Sequence, residues 1–182
     1  MALQFTTSYV EDSLSLLRYY KALAEKAIEQ VEDEQLVKAP DPESNSIAIV
    51  VKHMAGNMIS RWTGFPEADG EKPDRDRDAE FQDPPETREE LMGLWNRGWA
   101  CAFDALTNLS ERDLATRVTI RGEAHSVMQA INRQVAHYAY HCGQIVFLAK
   151  HLNHTRWKPL TIPRGQSKEF NRRLSEGVSS QR

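Results

Sequence analysis

Four stretches of this sequence carry apolar residues at intervals of three and four, and each is bounded by residues that stop a helix. The first runs from about Thr6 to Val31, with Tyr9, Ser13, Leu16, Tyr20, Leu23 and Ala27 in one stripe and Ser8 and Glu11 as a capping box. It stops before Ala39-Pro40-Asp41-Pro42, where the prolines remove amide donors and hold the preceding residues extended. The second starts near Ser46 and sets Ile47, Val50, Met54, Met58 and Trp62 on one side before Gly64 and Pro66 close it. The third follows a capping box from Thr87 to Glu90 and continues to about Leu109 through Leu91, Leu94, Gly98, Ala102 and Ala105. The fourth begins at Ser126, again boxed with Gln129, and extends to about Leu152. Four such helices with little strand content predict an all-α four-helix bundle.

Three segments lie outside that bundle. In ATRVTIRGEAHSV, Val118 and Ile120 alternate with polar residues and Arg121-Gly122-Glu123 supplies a turn, which predicts a short hairpin between the third and fourth helices. Residues 64–86, GFPEADGEKPDRDRDAEFQDPPE, exceed the ~12–15 residues of an ordinary connection and so are either functional or disordered. From His154 the tail HTRWKPLTIPRGQS has no period, but Trp157, Leu160 and Ile162 predict that it packs in order against the bundle. Residues 175–182 are polar and expected to fray.

A chain of 182 residues suits a single domain, 1–182, large enough to bury a full core. A formal charge of −3, with arginines interleaved among acids as in RDRDAE, argues against a nucleic-acid partner. No apolar run approaches the ~20 residues of a membrane span, and MALQFTTSYVED lacks the basic start and apolar stretch of a signal peptide. Two cysteines, Cys101 and Cys142, argue against a disulfide framework and leave room for one bridge at most; the compartment predicted is a reducing cytoplasm. Both are taken as small apolar residues and not as nucleophiles. Trp95 and Trp99 are assigned to core or dimer contacts.

The octapeptide HYAYHCGQ, residues 137–144, carries the chemistry. On the fourth helix Ala130, Gln134, His137, His141, Gln144 and Leu148 form one seam, so His137 and His141 face the bundle interior with Cβ atoms ~5–6 Å apart. On the second helix His53 lies beside the Val50–Met54–Met58 stripe and also points inward. Together they would give three imidazoles with coordination positions left over, the pattern of a catalytic metal. Spacing alone leaves the rival open that each is a core histidine bonded to a carbonyl or hydroxyl. His125, His151 and His154 are assigned to a hairpin and a helix end, not to a metal.

Longer strings around these residues resemble a known family. VKHMAGNMISRWTGFPEADGEKPDRDRDAEF is similar to the second-helix block of the DinB-like superfamily, and more narrowly of its DUF1572 branch. INRQVAHYAYHCGQIVFLAKHL and WKPLTIPRGQS resemble that branch's fourth-helix and tail blocks, so the likeness covers nearly the whole chain. It implies an up-down bundle, a homodimer, and one divalent metal held by His53, His137 and His141. Three imidazoles suit zinc or nickel, and also iron or manganese.

The segment lacks the glutamate of H-E-x-x-H, because Tyr138 fills that position, which disfavours the zinc-protease mechanism. Relatives in the wider superfamily include thiol S-transferases and thiol-dependent isomerases. The resemblance therefore implies a metal-dependent transferase that activates a low-molecular-weight thiol against electrophiles in detoxification. Two alternatives stand beside it: a hydrolase using a metal-bound water, and a non-enzymatic, stress-associated metal-binding dimer. Asn57, Gln134, Tyr138 and Gln144 are candidates for supporting the ligands or contacting the small molecule. Arg61 and Arg164 are candidates for holding a carboxylate of the thiol.

Overall fold

Each of the four long helices begins at a hydroxyl side chain that accepts from an otherwise unpaired amide, a cap worth about 1 kcal/mol. In a computed structural model describing residues 6–178, Ser8 caps α1 (Tyr9–Ile28) and Ser46 caps α3 (Ile47–Trp62). Thr87 and Ser126 open α4 (Arg88–Thr107) and α5 (Val127–Leu152), and each also donates its own amide N–H to the side chain of Glu90 or Gln129, completing a capping box. These four form the up-down bundle, with α1 packed mainly on α5 and α3 on α4. Two further helices were not anticipated. Four-residue α2 (Asp33–Leu36) buries Leu36 below the α1–α3 connection. In the tail, α6 (Ser167–Ser175) buries nothing, which is why no apolar period marks it.

One continuous core joins all four long helices, with Trp62, Trp95, Trp99 and Tyr138 fully enclosed. Trp95 and Trp99 are thus core residues. On α1 Val10, Ser13, Leu14, Leu17, Ala24, Ala27 and Ile28 are buried, so Ser13 and Ala27 of the predicted stripe face the core while the rest of the buried row is rotated from it. Tyr9 and Tyr20 occupy the margin instead, where a ring can be covered while its hydroxyl reaches a polar partner; Tyr9 donates to Asn132 Oδ1 at 2.6 Å. At the α3–α4 crossing Gly98 permits close approach, since a Cβ there would stand 2.9 Å from Ala55 Cα.

The hairpin is present as β1 (Arg117–Ile120) paired antiparallel with β2 (Glu123–Ser126). Its two turn residues, Arg121 and Gly122, have φ of 56° and 75°, the sign that matches the twist of flanking strands. Asp69 steadies this turn, accepting from the amides of Arg121 at 2.9 Å and Gly122 at 2.8 Å. Gly70 N–H donates to Thr119 C=O at 2.9 Å. The 64–86 connection is therefore docked on the hairpin, and it enters a short 3₁₀ turn at Ala79–Phe81.

In the tail Trp157 and Leu160 pack against the core, whereas Ile162 stays 38 % exposed. The expectation of fraying at 175–182 lies in part outside the described residues. Within them, amides of Gly177 and Val178 donate to the carbonyls of Leu174 and Arg173. Among the described residues no helix is long and apolar enough to cross a membrane.

Candidate metal centre

α3 and α5 face each other with fewer close backbone approaches than either makes to its main partner, and polar side chains fill the space between them. His53 projects into it from α3 and is 4 % exposed. His137 and His141 project from α5, one turn apart and hence on one face. His137 Nε2 lies 3.0 Å from His141 Nε2 and 3.4 Å from His53 Nε2. All three ligand nitrogens fall within 4.8 Å of one another. Nitrogens held tetrahedrally at ~2.0–2.1 Å from one ion stand ~3.3 Å apart, so the two distances from His137 Nε2 lie near one edge of such a polyhedron.

On two of the three rings the partner at the far side decides which nitrogen carries the proton. Glu80 Oε2 lies 2.8 Å from His53 Nδ1; a carboxylate only accepts, so Nδ1–H donates and the Nε2 lone pair faces inward. His141 Nδ1–H donates likewise to Gln144 Oε1 at 2.7 Å. The Nδ1 of His137 is buried with no partner. Burial, reinforced by the neighbouring His141 and His53, pushes His137 down to about 3, and burial also lowers His141. His137 Nε2 has two states between the His53 and His141 lone pairs: as Nε2–H it donates to a neighbouring ring nitrogen, and with its proton on Nδ1 its lone pair joins theirs, giving a donor set that fits a metal ion.

Glu80 is the functional residue that sequence reasoning missed. It comes from the 64–86 connection, where the turn at Ala79–Phe81 lays its carboxylate over α3. The path crosses Gly56, where an added Cβ would stand 2.7 Å from Glu80 Cδ. Arg75 grips the same carboxylate through Nε at 2.7 Å and Nη2 at 2.8 Å. Burial alone would raise the Glu80 carboxyl, but the bonds from His53 and Arg75 hold it below the usual range. Phe81 stacks on the His53 ring at 4.7 Å. The one signal in the sequence is Gly56 itself, three residues after His53 and without a side chain in a mostly apolar helix.

Beside the histidines opens a cavity of about 390 Å³, bordered by His53 and His137. Asn57 and Gln134 line it, both buried, with their carboxamide oxygens unpartnered. Arg61 lines it too, 3 % exposed, and its Nε and Nη1 have no hydrogen-bond partner. Burial lowers the Arg61 pKa from its ordinary value. Gln144 supports His141 as described, and its own Nε2 donates to Tyr140 Oη at 3.2 Å.

Tyr138 belongs to the core instead: its hydroxyl accepts from Trp62 Nε1 at 3.0 Å, and complete burial raises its pKa. Arg164 is exposed in the tail and does not line the cavity. Cys101 and Cys142 are both free thiols; burial pushes Cys142 up to about 12, which leaves it un-nucleophilic. His125 bonds within the hairpin, and His151 and His154 are exposed at the end of α5.

Bundle and site together define a protein of DinB-like fold. The chain resembles the crystal structure of a DinB-like protein from Bacillus cereus ATCC 10987 with a TM-score of 0.60, at 18 % identity over 78 % of this chain and 91 % of that one. More narrowly, residues 4–166 match the family DUF1572, described as a protein of unknown function, and the chain belongs to that family. A search of curated proteins returned no match.

Proposed function

We propose that this protein binds one divalent metal ion through His53, His137 and His141 and is a metal-dependent S-transferase acting on a low-molecular-weight thiol. The observation that supports it most is the convergence of three Nε2 atoms from two helices at 3.0 and 3.4 Å. Zinc or nickel suits an all-imidazole set best, with iron or manganese next. A divalent ion held there supplies the positive charge that favours a thiolate over a thiol near neutral pH.

The chain's own groups do the rest. Glu80 and Gln144 fix the His53 and His141 tautomers and ring orientations. Residues 71–81 wall the site on the α3 side, with Phe81 covering His53. In the transfer itself the thiolate sulfur attacks the electrophilic carbon; the C–S bond forms as the carbon–halide or epoxide C–O bond breaks. The thiol proton is released to solvent or to the opened alkoxide.

Hydrolysis by the H-E-x-x-H route would need a carboxylate aimed at the attacking water. Glu80 is instead bonded to His53 on the ring edge remote from the Nε2 cluster and is held there by Arg75. The test is turnover of an activated aryl halide and an epoxide by metal-loaded protein, across a panel of small thiols. Thiol-dependent product that is lost in His141→Ala supports the proposal. No turnover with any thiol, or ester hydrolysis that needs none, overturns it.

We also infer a homodimer. Tyr140 and Phe147 leave large rings 63 % and 68 % exposed on α5, adjacent to the Gln144 side of the site. Light scattering at twice 20.8 kDa supports this, and a mass of 20.8 kDa contradicts it.

A further inference from the structure

Five arginines border the cavity beside the three histidines: Arg61 at the floor, Arg75 in the wall, and Arg77, Arg121 and Arg133 at the exposed rim. They come from four separate parts of the chain, namely α3, the 64–86 connection, the hairpin turn and α5. Two carboxylates offset part of this charge. Glu80 and Glu71 both pair with Arg75, and Glu71 also reaches Arg121 at 3.3 Å. Arg61, Arg77 and Arg133 have no carboxylate within ion-pair distance among the described residues. Among the described residues, none of those bordering the cavity is acidic.

Arg61 is the decisive member. The residue is 3 % exposed and has no carboxylate in ion-pair reach; its Nε and Nη1 are buried without partners, and Nη1 and Cδ pack on the connection at Gly70, where an added Cβ would stand 3.0 Å from Cδ. A buried, unpaired guanidinium is costly unless an anion completes it, and its planar fork suits two oxygens of a phosphate or carboxylate. On the same wall the carboxamide oxygens of Asn57 and Gln134 are buried acceptors that ask for donors.

We infer that this cavity is an anion subsite, taking a small molecule that carries at least two anionic oxygens, as phosphate or paired carboxylates, together with hydroxyl or ammonium donors. His53 and His137 border the same space, so an anion seated on Arg61 places the remainder of its molecule at the converged imidazoles. The subsite thereby selects the substrate class for the metal chemistry proposed above, on which its catalytic meaning rests. Its existence as a binding site does not depend on that chemistry.

Calorimetric titration of the metal-loaded full chain tests it with four probes: inorganic phosphate, malonate, glycerol phosphate and neutral glycerol. The subsite predicts binding of the three anions that weakens with salt, tightest for the hydroxylated one, and none for glycerol. The order of phosphate and malonate then says which head group the arginines prefer, and either order supports the subsite. Arg133→Gln, at the exposed rim where folding is not at stake, should weaken binding about tenfold. Arg61→Gln should weaken it further, while Arg172→Gln on α6 should leave it unchanged. His141→Ala separates the two ideas: anion binding that survives loss of metal supports the subsite even if the transferase activity fails. Absence of anion binding, or binding indifferent to both Arg61→Gln and Arg133→Gln, overturns the inference.

Discussion

α3 shows two unlike faces to its neighbours. Toward α4 the packing is dry and close, with Gly98 against Ala55 and two tryptophans sealed beneath. Toward α5 the same helix buries His53, Asn57 and Arg61, with polar atoms left open on two of the three. Apolar burial of the first kind stabilises the fold, at ~25 cal/mol per Å² removed from water. Burial of the second kind opposes folding unless partners or ligands complete it. The molecule therefore separates its tasks across one helix: the α4 face holds α3 in place so that the α5 face can keep a strained set of donors.

That contrast can be broken from either side. Trp95→Ala removes a fully enclosed ring from the dry face and should destabilise the protein by about 3–5 kcal/mol in denaturant titration. Metal per folded molecule should stay the same. Gly56→Ala acts on the wet face, displacing the Glu80 carboxylate from His53. Metal affinity should fall about 10–100-fold by competition with a chelating dye, with a much smaller change in unfolding free energy. If metal affinity does not move, Glu80 has no part in holding the ligand.

A smaller effect concerns the junction that closes the wet side. Hydrogen bonds from the amides of Gly122, Glu71 and Arg121 hold the Asp69 carboxyl well below its usual range. A depressed folded-state pKa contributes stability that is present above the unfolded value of ~3.9 and is lost as pH falls toward the folded one. Asp69→Asn should cost about 1–2 kcal/mol at neutral pH. It should also flatten the decline in stability below about pH 4, and an unchanged acid limb would contradict this.

How much of this was legible beforehand follows the same division. The four helices announced themselves through apolar period and caps, because both signals are local in the chain. His137 and His141 were readable since one turn of helix fixes their relation, and His53 because it adjoins an apolar stripe. What escaped depends on how the connection folds back. Glu80 reaches His53 across 27 residues of sequence, through a turn no short pattern specifies. The run RDRDAE reads as arginines interleaved among acids, yet Arg75 and Arg77 line the cavity while Asp76 and Asp78 are exposed and do not. Tyr138 was weighed by its place between the histidines and Arg164 as a tail cation for a carboxylate; the first was drawn into the core by Trp62, and the second lies out in the tail.

The central claim is that three imidazoles share one ion. X-ray absorption at the metal edge of protein loaded with one equivalent of zinc addresses this directly. The account predicts nitrogen neighbours at ~2.0–2.1 Å with the outer-ring scattering of three histidines, reduced to two in His53→Ala. A first shell containing sulfur, or a spectrum that His53→Ala leaves unaltered, would contradict it.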